Sequence, residues 1–318
     1  MQPQTETWQW QGFQIRYQFA GTQGPAVILI HGFGASSAHW RKNIVDLAAT
    51  NRVYAIDLIG FGGSDKPTPG PLQPGQSVEY IFETWGQQVL DFCQEIVGDP
   101  AFLVGNSIGC IVALQAAVMD PEQILGVSML DCSLRLLHER KRLEIPWYRR
   151  MSAPILQKVL AYRLLGEAFF KSVAKPKAVR NILRQAYGRK DAVTDELVDL
   201  LLEPAFEAGA PAVFLAFIQY SQGPLPEDLL PQVTCPVLML WGEADPWEPI
   251  EQGRALAKFP AVEDFIALEG VGHCPQDEAP EVVNPLLKEW IAKHTGGTVN
   301  NATAVPNHVE DFEVKAGR

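Results

Sequence analysis

The chain has 318 residues, of which 47% are hydrophobic and 20% charged, the balance of a globular protein with a large buried core. Its formal net charge of -11 excludes the clustered cationic surface that nucleic-acid binding requires. Five cysteines, Cys93, Cys110, Cys132, Cys235 and Cys274, are spread without a C-x-x-C pair and read as reduced, buried apolar residues.

The start, MQPQTE, lacks a basic segment followed by an apolar one, and no apolar run reaches the length of a membrane span. The expectation is a cytoplasmic protein, in solution or resting on a membrane surface. Residues 8–19 alternate around Gly12 and predict a hairpin of two edge strands. The apolar runs 26–30 (AVILI) and 53–56 are each followed by a Gly-rich turn, the signature of strands buried on both faces. Further strands are predicted at 101–104, 126–130, 236–240 and 262–268, the earlier ones alternating with helical patterns. The predicted architecture is α/β: a mostly parallel eight-stranded sheet flanked by helices.

Between residues 133 and 231 the alternation stops. Only helical patterns remain, at 154–165, 177–187, 194–207 and 211–220, predicting an all-helical cap inserted between strands 6 and 7. The predicted organisation is a core from 1–133 and 231–295, a cap from 134–230 and a flexible tail from 296–318. The tail is polar and aperiodic, and its Asn301-Ala302-Thr303 sequon carries no weight without a secretion signal.

Gly105-Asn106-Ser107-Ile108-Gly109 follows the strand FLV and precedes the apolar helical run CIVALQAAVMD. A G-x-S-x-G sequence at a strand-to-helix turn exposes a nucleophilic serine at a helix N-terminus. The alternative is a helix N-cap serine after a glycine turn. A serine hydroxyl needs a base, and a tetrahedral oxyanion needs donors. His31-Gly32-Phe33-Gly34 follows AVILI, so the N–H groups of Phe33 and Ile108 are the expected oxyanion donors. His273, between the final strand and the last helix, is the expected base. The orienting acid is expected at Asp245, after the penultimate strand, with Asp131 at the end of strand 6 as the competitor. His31, Asn106 and Trp247 are expected to face the substrate, although His31 reads more readily as a structural residue supporting its own loop than as a base. Asp57 is expected to fix the Gly-rich loop that follows it by accepting backbone N–H bonds. That loop lacks a following helix and is no dinucleotide site. No His and carboxylate cluster stands at ligand spacing, so neither metal nor cofactor is expected.

Taken together, HGFGAS, DLIGFGGSDKP, VGNSIG, WGEADPWEP and GVGHCPQDEAPEVVN resemble the α/β-hydrolase superfamily over the chain up to its tail. GNSIG with Asp245-Pro246-Trp247-Glu248-Pro249 is most similar to the pheophytinase and chlorophyll dephytylase branch. The resemblance implies a serine carboxylic-ester hydrolase that cleaves the phytyl ester of chlorophyll or pheophytin, with Ser107, Asp245 and His273 as its triad. Cys110 departs from the glycine common in relatives and should affect helix packing more than chemistry. Ser107 stands where dehalogenases and epoxide hydrolases of this architecture place an Asp, which disfavours an alkyl-enzyme mechanism. Carbon–carbon bond hydrolases, lactonases, perhydrolases and, from another class, a ligand-binding receptor remain alternatives on the same scaffold.

Two features bear on a large apolar substrate. Residues 134–150 hold six Arg or Lys against two Glu, interleaved with Leu, Trp147 and Tyr148, a composition suited to an anionic membrane surface or to a solvated helix face, and the resemblance implies that such a surface is a photosynthetic (thylakoid) membrane. Phe169, Phe170, Phe214 and Phe217 either enclose a substrate or pack the cap. The sequence leaves the oligomeric state open.

Overall fold

The computed structural model describes residues 2–136, 138–141, 160 and 162–296. The first strands form the expected hairpin: β1 (Gln4–Trp10) pairs antiparallel with β2 (Phe13–Ala20), closing at Trp10 and Phe13. Gln11 and Gly12 both take positive φ, 51° and 80°, as a two-residue turn matched to strand twist requires.

The remaining strands are β3 (Ala26–Ile30), β4 (Arg52–Ile56), β5 (Ala101–Asn106), β6 (Ile124–Leu130), β7 (Val237–Gly242) and β8 (Val262–Leu268). They make one eight-stranded sheet in the order β1-β2-β4-β3-β5-β6-β7-β8, antiparallel at β1–β2 and β2–β4 and parallel elsewhere. This is the α/β-hydrolase fold. Strand β5 runs two residues beyond the apolar run because Gly105 and Asn106 continue the ladder with Met129 and Leu130.

Alternation along each parallel strand serves two cores. Ile28 and Ile30 of β3 join Trp85, Val89, Ile111 and Leu114 on one face of the sheet. Val27 and Leu29 join Trp40, Leu47, Val283, Leu287 and Trp290 on the other. Both faces are covered, so the strands read as unbroken apolar runs. The helices Phe82–Phe92 and Ile108–Met119 cover the first face, and Pro280–His294 the second. A short parallel pair, Thr68–Pro69 with Ser77–Val78, lies outside the main sheet and carries no apolar run that would predict it.

Among the described residues the insert between β6 and β7 is helical, with Arg163–Val173, Pro176–Ala186, Asp195–Leu202, Ala210–Gln219 and Pro226–Leu229. The single helix expected over 194–207 is a correction: it ends at Leu202 and continues as a 3₁₀ turn over Glu203–Phe206. Pro204 removes a backbone donor and its ring clashes with the preceding turn. Most of the segment expected over 154–165 lies outside the described residues, as does the tail beyond Gly296.

No single described helix is long and apolar enough to cross a membrane. Of the basic stretch 134–150, Arg135, Arg140 and Lys141 are described and all are engaged within the protein. Arg135 donates to the carbonyls of Tyr220 and Pro224, Arg140 pairs with Asp228, and Lys141 pairs with Glu227. Arg142, Trp147, Tyr148, Arg149 and Arg150 lie outside the described residues.

Candidate active site

Ser107 sits between β5 and the helix Ile108–Met119 at φ 56° and ψ −119°, a strained conformation for a residue with a Cβ. Close packing enforces it. A Cβ on Gly105 would meet the Gly109 carbonyl carbon at 2.4 Å, and one on Gly109 would meet the Ile30 carbonyl oxygen at 2.3 Å. Only glycines let the turn approach both its own return and the end of β3. Ser107 precedes the helix yet makes no side-chain capping bond, so its hydroxyl is left for the cavity it lines. That observation separates the nucleophile reading from the N-cap reading.

The Ile108 N–H is in the first turn of its helix, where backbone donors have no intrahelical acceptor. Phe33 approaches from the loop after β3. A Cβ on Gly32 would lie 3.1 Å from Ser107 Cβ, so this glycine sets how closely that loop meets the serine. The Phe33 ring stacks on Phe217 at 4.7 Å between centroids and contacts Phe61 at 5.8 Å, which pins the loop from cap and core.

His31, expected to face substrate, is corrected: it lies fully buried beneath the loop and does not line the cavity. Its Nε2 accepts the Leu58 N–H at 3.1 Å and its Nδ1 donates to the Gly32 carbonyl at 2.8 Å, which together select one tautomer. Burial lowers its pKa against the opposing charge of Asp57, consistent with a neutral structural ring. Asp57 accepts from the N–H groups of Ser37 at 2.5 Å and Gly63 at 2.8 Å, bracing the adjoining loop.

His273 Nδ1 lies 2.7 Å from Asp245 Oδ2. Burial alone would depress the His273 pKa, but the hydrogen bond and charge of Asp245, with Glu248 and Glu278, reverse this and raise it above 6.5. The other oxygen, Asp245 Oδ1, accepts from Trp247 N–H at 2.8 Å and Glu248 N–H at 3.2 Å, so both acceptors of the carboxylate are directed. Asp131 does not take this place. Its buried carboxyl accepts the Gly242 N–H at 2.9 and 3.2 Å. Burial, then the Asp245 charge, raises the Asp131 pKa.

Asn106 lines the cavity, and its Nδ2 donates to the Leu130 carbonyl at 3.1 Å and the His273 carbonyl at 3.0 Å, tying the nucleophile strand to the histidine loop. Trp247 is 40% exposed and meets the His273 ring edge-on at 4.9 Å between centroids.

Three features were not expected from sequence. The backbone N–H of His273 donates to the carbonyl of Ala186 in the cap at 2.9 Å. Next to it, Tyr187 donates to Asp277 at 3.0 Å and accepts from His39 Nε2 at 2.9 Å, while Arg41 and Lys42 pair with Asp277. Glu248 lines the cavity as a buried carboxyl. Each depends on contacts between the cap and distant loops, which leave no local pattern in the chain.

The cavity over Ser107 has a volume of about 670 Å³. Its wall includes Phe169, Phe170, Phe214 and Phe217 with Ile182 and Leu183, and its polar lining comprises His39, Asn106, Ser107, Ser133, Glu248 and His273. The arrangement brings a hydroxyl and an oriented imidazole, with Phe33 and Ile108, onto the wall of one large, mostly apolar cavity.

A family model described as the alpha/beta hydrolase family matches residues 27–286. Pheophytinase, chloroplastic, of Arabidopsis thaliana is 27% identical over 94% of this chain and 68% of its own length. The pimeloyl-[acyl-carrier protein] methyl ester esterase of Vibrio vulnificus is 27% identical over 88% of this chain and 98% of its own. Among solved structures, a bacterial membrane phospholipase A superposes with a TM-score of 0.69 at 26% identity, covering 93% of this chain and 87% of that one.

Proposed function

We propose, from the premise that this chain belongs to the alpha/beta hydrolase family, that it is a serine carboxylic-ester hydrolase acting on the phytyl ester of chlorophyll or pheophytin. The observation that carries the ester reading is the uncapped Ser107 hydroxyl sharing one cavity with a His273 ring that is oriented by Asp245.

In this reading His273 Nε2 takes the Ser107 proton as the oxygen attacks the ester carbonyl, while Asp245 holds Nδ1–H and stabilises the imidazolium. The tetrahedral oxyanion is held by the N–H groups of Phe33 and Ile108. Collapse of the intermediate releases the alcohol with the proton from His273. Water, deprotonated by the same ring, then frees the acid from the acyl-enzyme.

The phytyl specificity rests on two supports. The cavity volume falls within the roughly 300–1,000 Å³ typical of sites that enclose sizeable organic ligands, and its far wall is hydrocarbon. Pheophytinase of Arabidopsis is similar along nearly the whole chain. A large apolar ester partitions into membranes, and we assign peripheral contact with a photosynthetic membrane to the cap, where Tyr162, Leu164, Leu165 and Phe206 are exposed. The likeness to a methyl ester esterase favours a second reading, a serine esterase of smaller acyl esters.

Incubation of the protein and its Ser107→Ala variant with detergent-solubilised chlorophyll a and pheophytin a, following phytol by chromatography, tests the assignment. Phytol release by the parent alone is the expected result. Cleavage of a short p-nitrophenyl ester without phytol release would retain the triad and remove the pigment.

A further inference from the structure

One polar group on the cavity wall has no place in the triad. Glu248 is 9% exposed and is the only carboxyl among the described residues that line the cavity, which holds no lysine or arginine. It is fixed from three sides: Oε2 accepts the Leu134 N–H at 2.9 Å, the backbone N–H donates to Asp245 at 3.2 Å, and the backbone carbonyl accepts the Trp241 indole N–H at 2.9 Å. Those bonds hold the carboxyl where the cap leaves the core, beside Ser133 and His273.

The titratable groups that act on it are His273 and Asp245 from the catalytic loops and Cys132 from the end of β6. Burial raises its pKa to about 7, against the lowering effect of His273. Near neutral pH the carboxyl therefore exchanges between a neutral donor and an anion that faces no permanent cation.

We propose that Glu248 is a specificity-determining residue that selects uncharged substrates: neutral, it donates a hydrogen bond to a second carbonyl or ether oxygen beside the scissile ester, and ionised, it rejects an anionic arm there. The inference rests on the serine-esterase reading above. Two like charges brought together out of water repel, whereas a neutral acceptor placed against a protonated carboxyl gains a hydrogen bond. Hydrolysis itself creates a carboxylate at Ser107, so the same group also opposes retention of the acid product.

The test uses two p-nitrophenyl esters of one six-carbon diacid, the far end being a methyl ester in one and a free carboxylate in the other. Values of kcat/KM are compared at about pH 6 and about pH 8.5, either side of the Glu248 titration and well above that of a free carboxylic acid. Taking the ratio of the two esters cancels the leaving group and the His273 titration. The parent should favour the methyl ester by about tenfold more at the higher pH, and Glu248→Gln should remove that pH dependence. A ratio independent of pH in the parent, or one unchanged by Glu248→Gln, overturns the proposal. Labelling of Ser107 by a fluorophosphonate probe reports whether the variant is folded. Should Glu248→Gln fail to label, Glu248→Asp, which withdraws the carboxyl by one methylene, replaces it and should shrink the pH dependence of the ratio. Activity persisting in Ser107→Ala would instead remove the esterase reading and this proposal with it.

Discussion

Asp245 faces His273 Nδ1 at 2.7 Å with a second buried acid, Asp131, near enough for the Asp245 charge to raise the Asp131 pKa. Replacing Asp245 with Asn leaves the hydrogen-bond geometry but favours the wrong histidine tautomer. We expect kcat to fall by about 10⁴-fold. Asp131→Asn should cost about tenfold or less. Steady-state kinetics on a p-nitrophenyl ester compare the two variants; equal losses would mean that Asp131 shares the orienting role.

The raised His273 pKa fixes a pH dependence. The base must be neutral, so the acid limb of kcat/KM should have its midpoint above 6.5, and Asp245→Asn should move it downward because the principal raising group is lost. For stability the sign is opposite to that of activity. A group whose folded pKa is raised stabilises the protein fully below its unfolded value and less as pH rises through the folded one. Glu248 behaves likewise between 4.5 and about 7. Thermal melts across this range should show Tm declining as pH rises, with a shallower slope in Glu248→Gln.

Gly109→Ala should be among the most damaging small substitutions. Its methyl group would fall 2.3 Å from the Ile30 carbonyl oxygen, and neither partner is a flexible side chain. Relief requires the nucleophile turn to move away from the oxyanion loop, and a shift of about 1 Å costs about 10²-fold in rate. A fluorophosphonate labelling time course measures the loss, and unaltered labelling would show that the turn has room to relax.

Tyr187→Phe tests the link between cap and core. The ring is fully buried, and loss of the hydroxyl leaves His39 without an acceptor and Asp277 with one donor fewer. The expected destabilisation is about 1–3 kcal/mol. Because the adjacent Ala186 carbonyl receives the His273 N–H, kcat should also fall by severalfold. Chemical denaturation together with kinetics separates this from a purely structural role, which would lower stability and leave kcat unchanged.

Much of the fold was legible because parallel strands buried on both faces appear as short apolar runs; 26–30 and 262–268 coincide with β3 and β8. Ends were less legible where pairing with a neighbour extends a strand, as at Gly105 and Asn106, or where Pro204 interrupts a periodic stretch. The placement of Ser107, His273 and the 31–34 loop around one cavity could be anticipated because each has glycine or a fixed chain order beside it. Chain order favoured Asp245 over Asp131 without excluding it, since both follow strands, and the reach to Nδ1 distinguishes them. Glu248 was hidden for a related reason: its burial depends on Leu134, which is 114 positions away. His31 fails only as a substrate-facing residue: it takes the loop-supporting role that the sequence also offered, with both nitrogens spent on backbone groups.

The bond from His273 to Ala186 also constrains how this enzyme could be re-engineered. A cap is commonly treated as an exchangeable module that sets substrate preference above an invariant core. Here a carbonyl of that module completes the backbone bonding of the base, and Gly188 packs so closely on the histidine loop that an added Cβ would meet the Gly270 carbonyl oxygen at 2.4 Å. A transplanted cap would therefore have to carry the stretch from Ala186 to Arg189 unchanged, and libraries that diversify the cap should hold those four positions fixed.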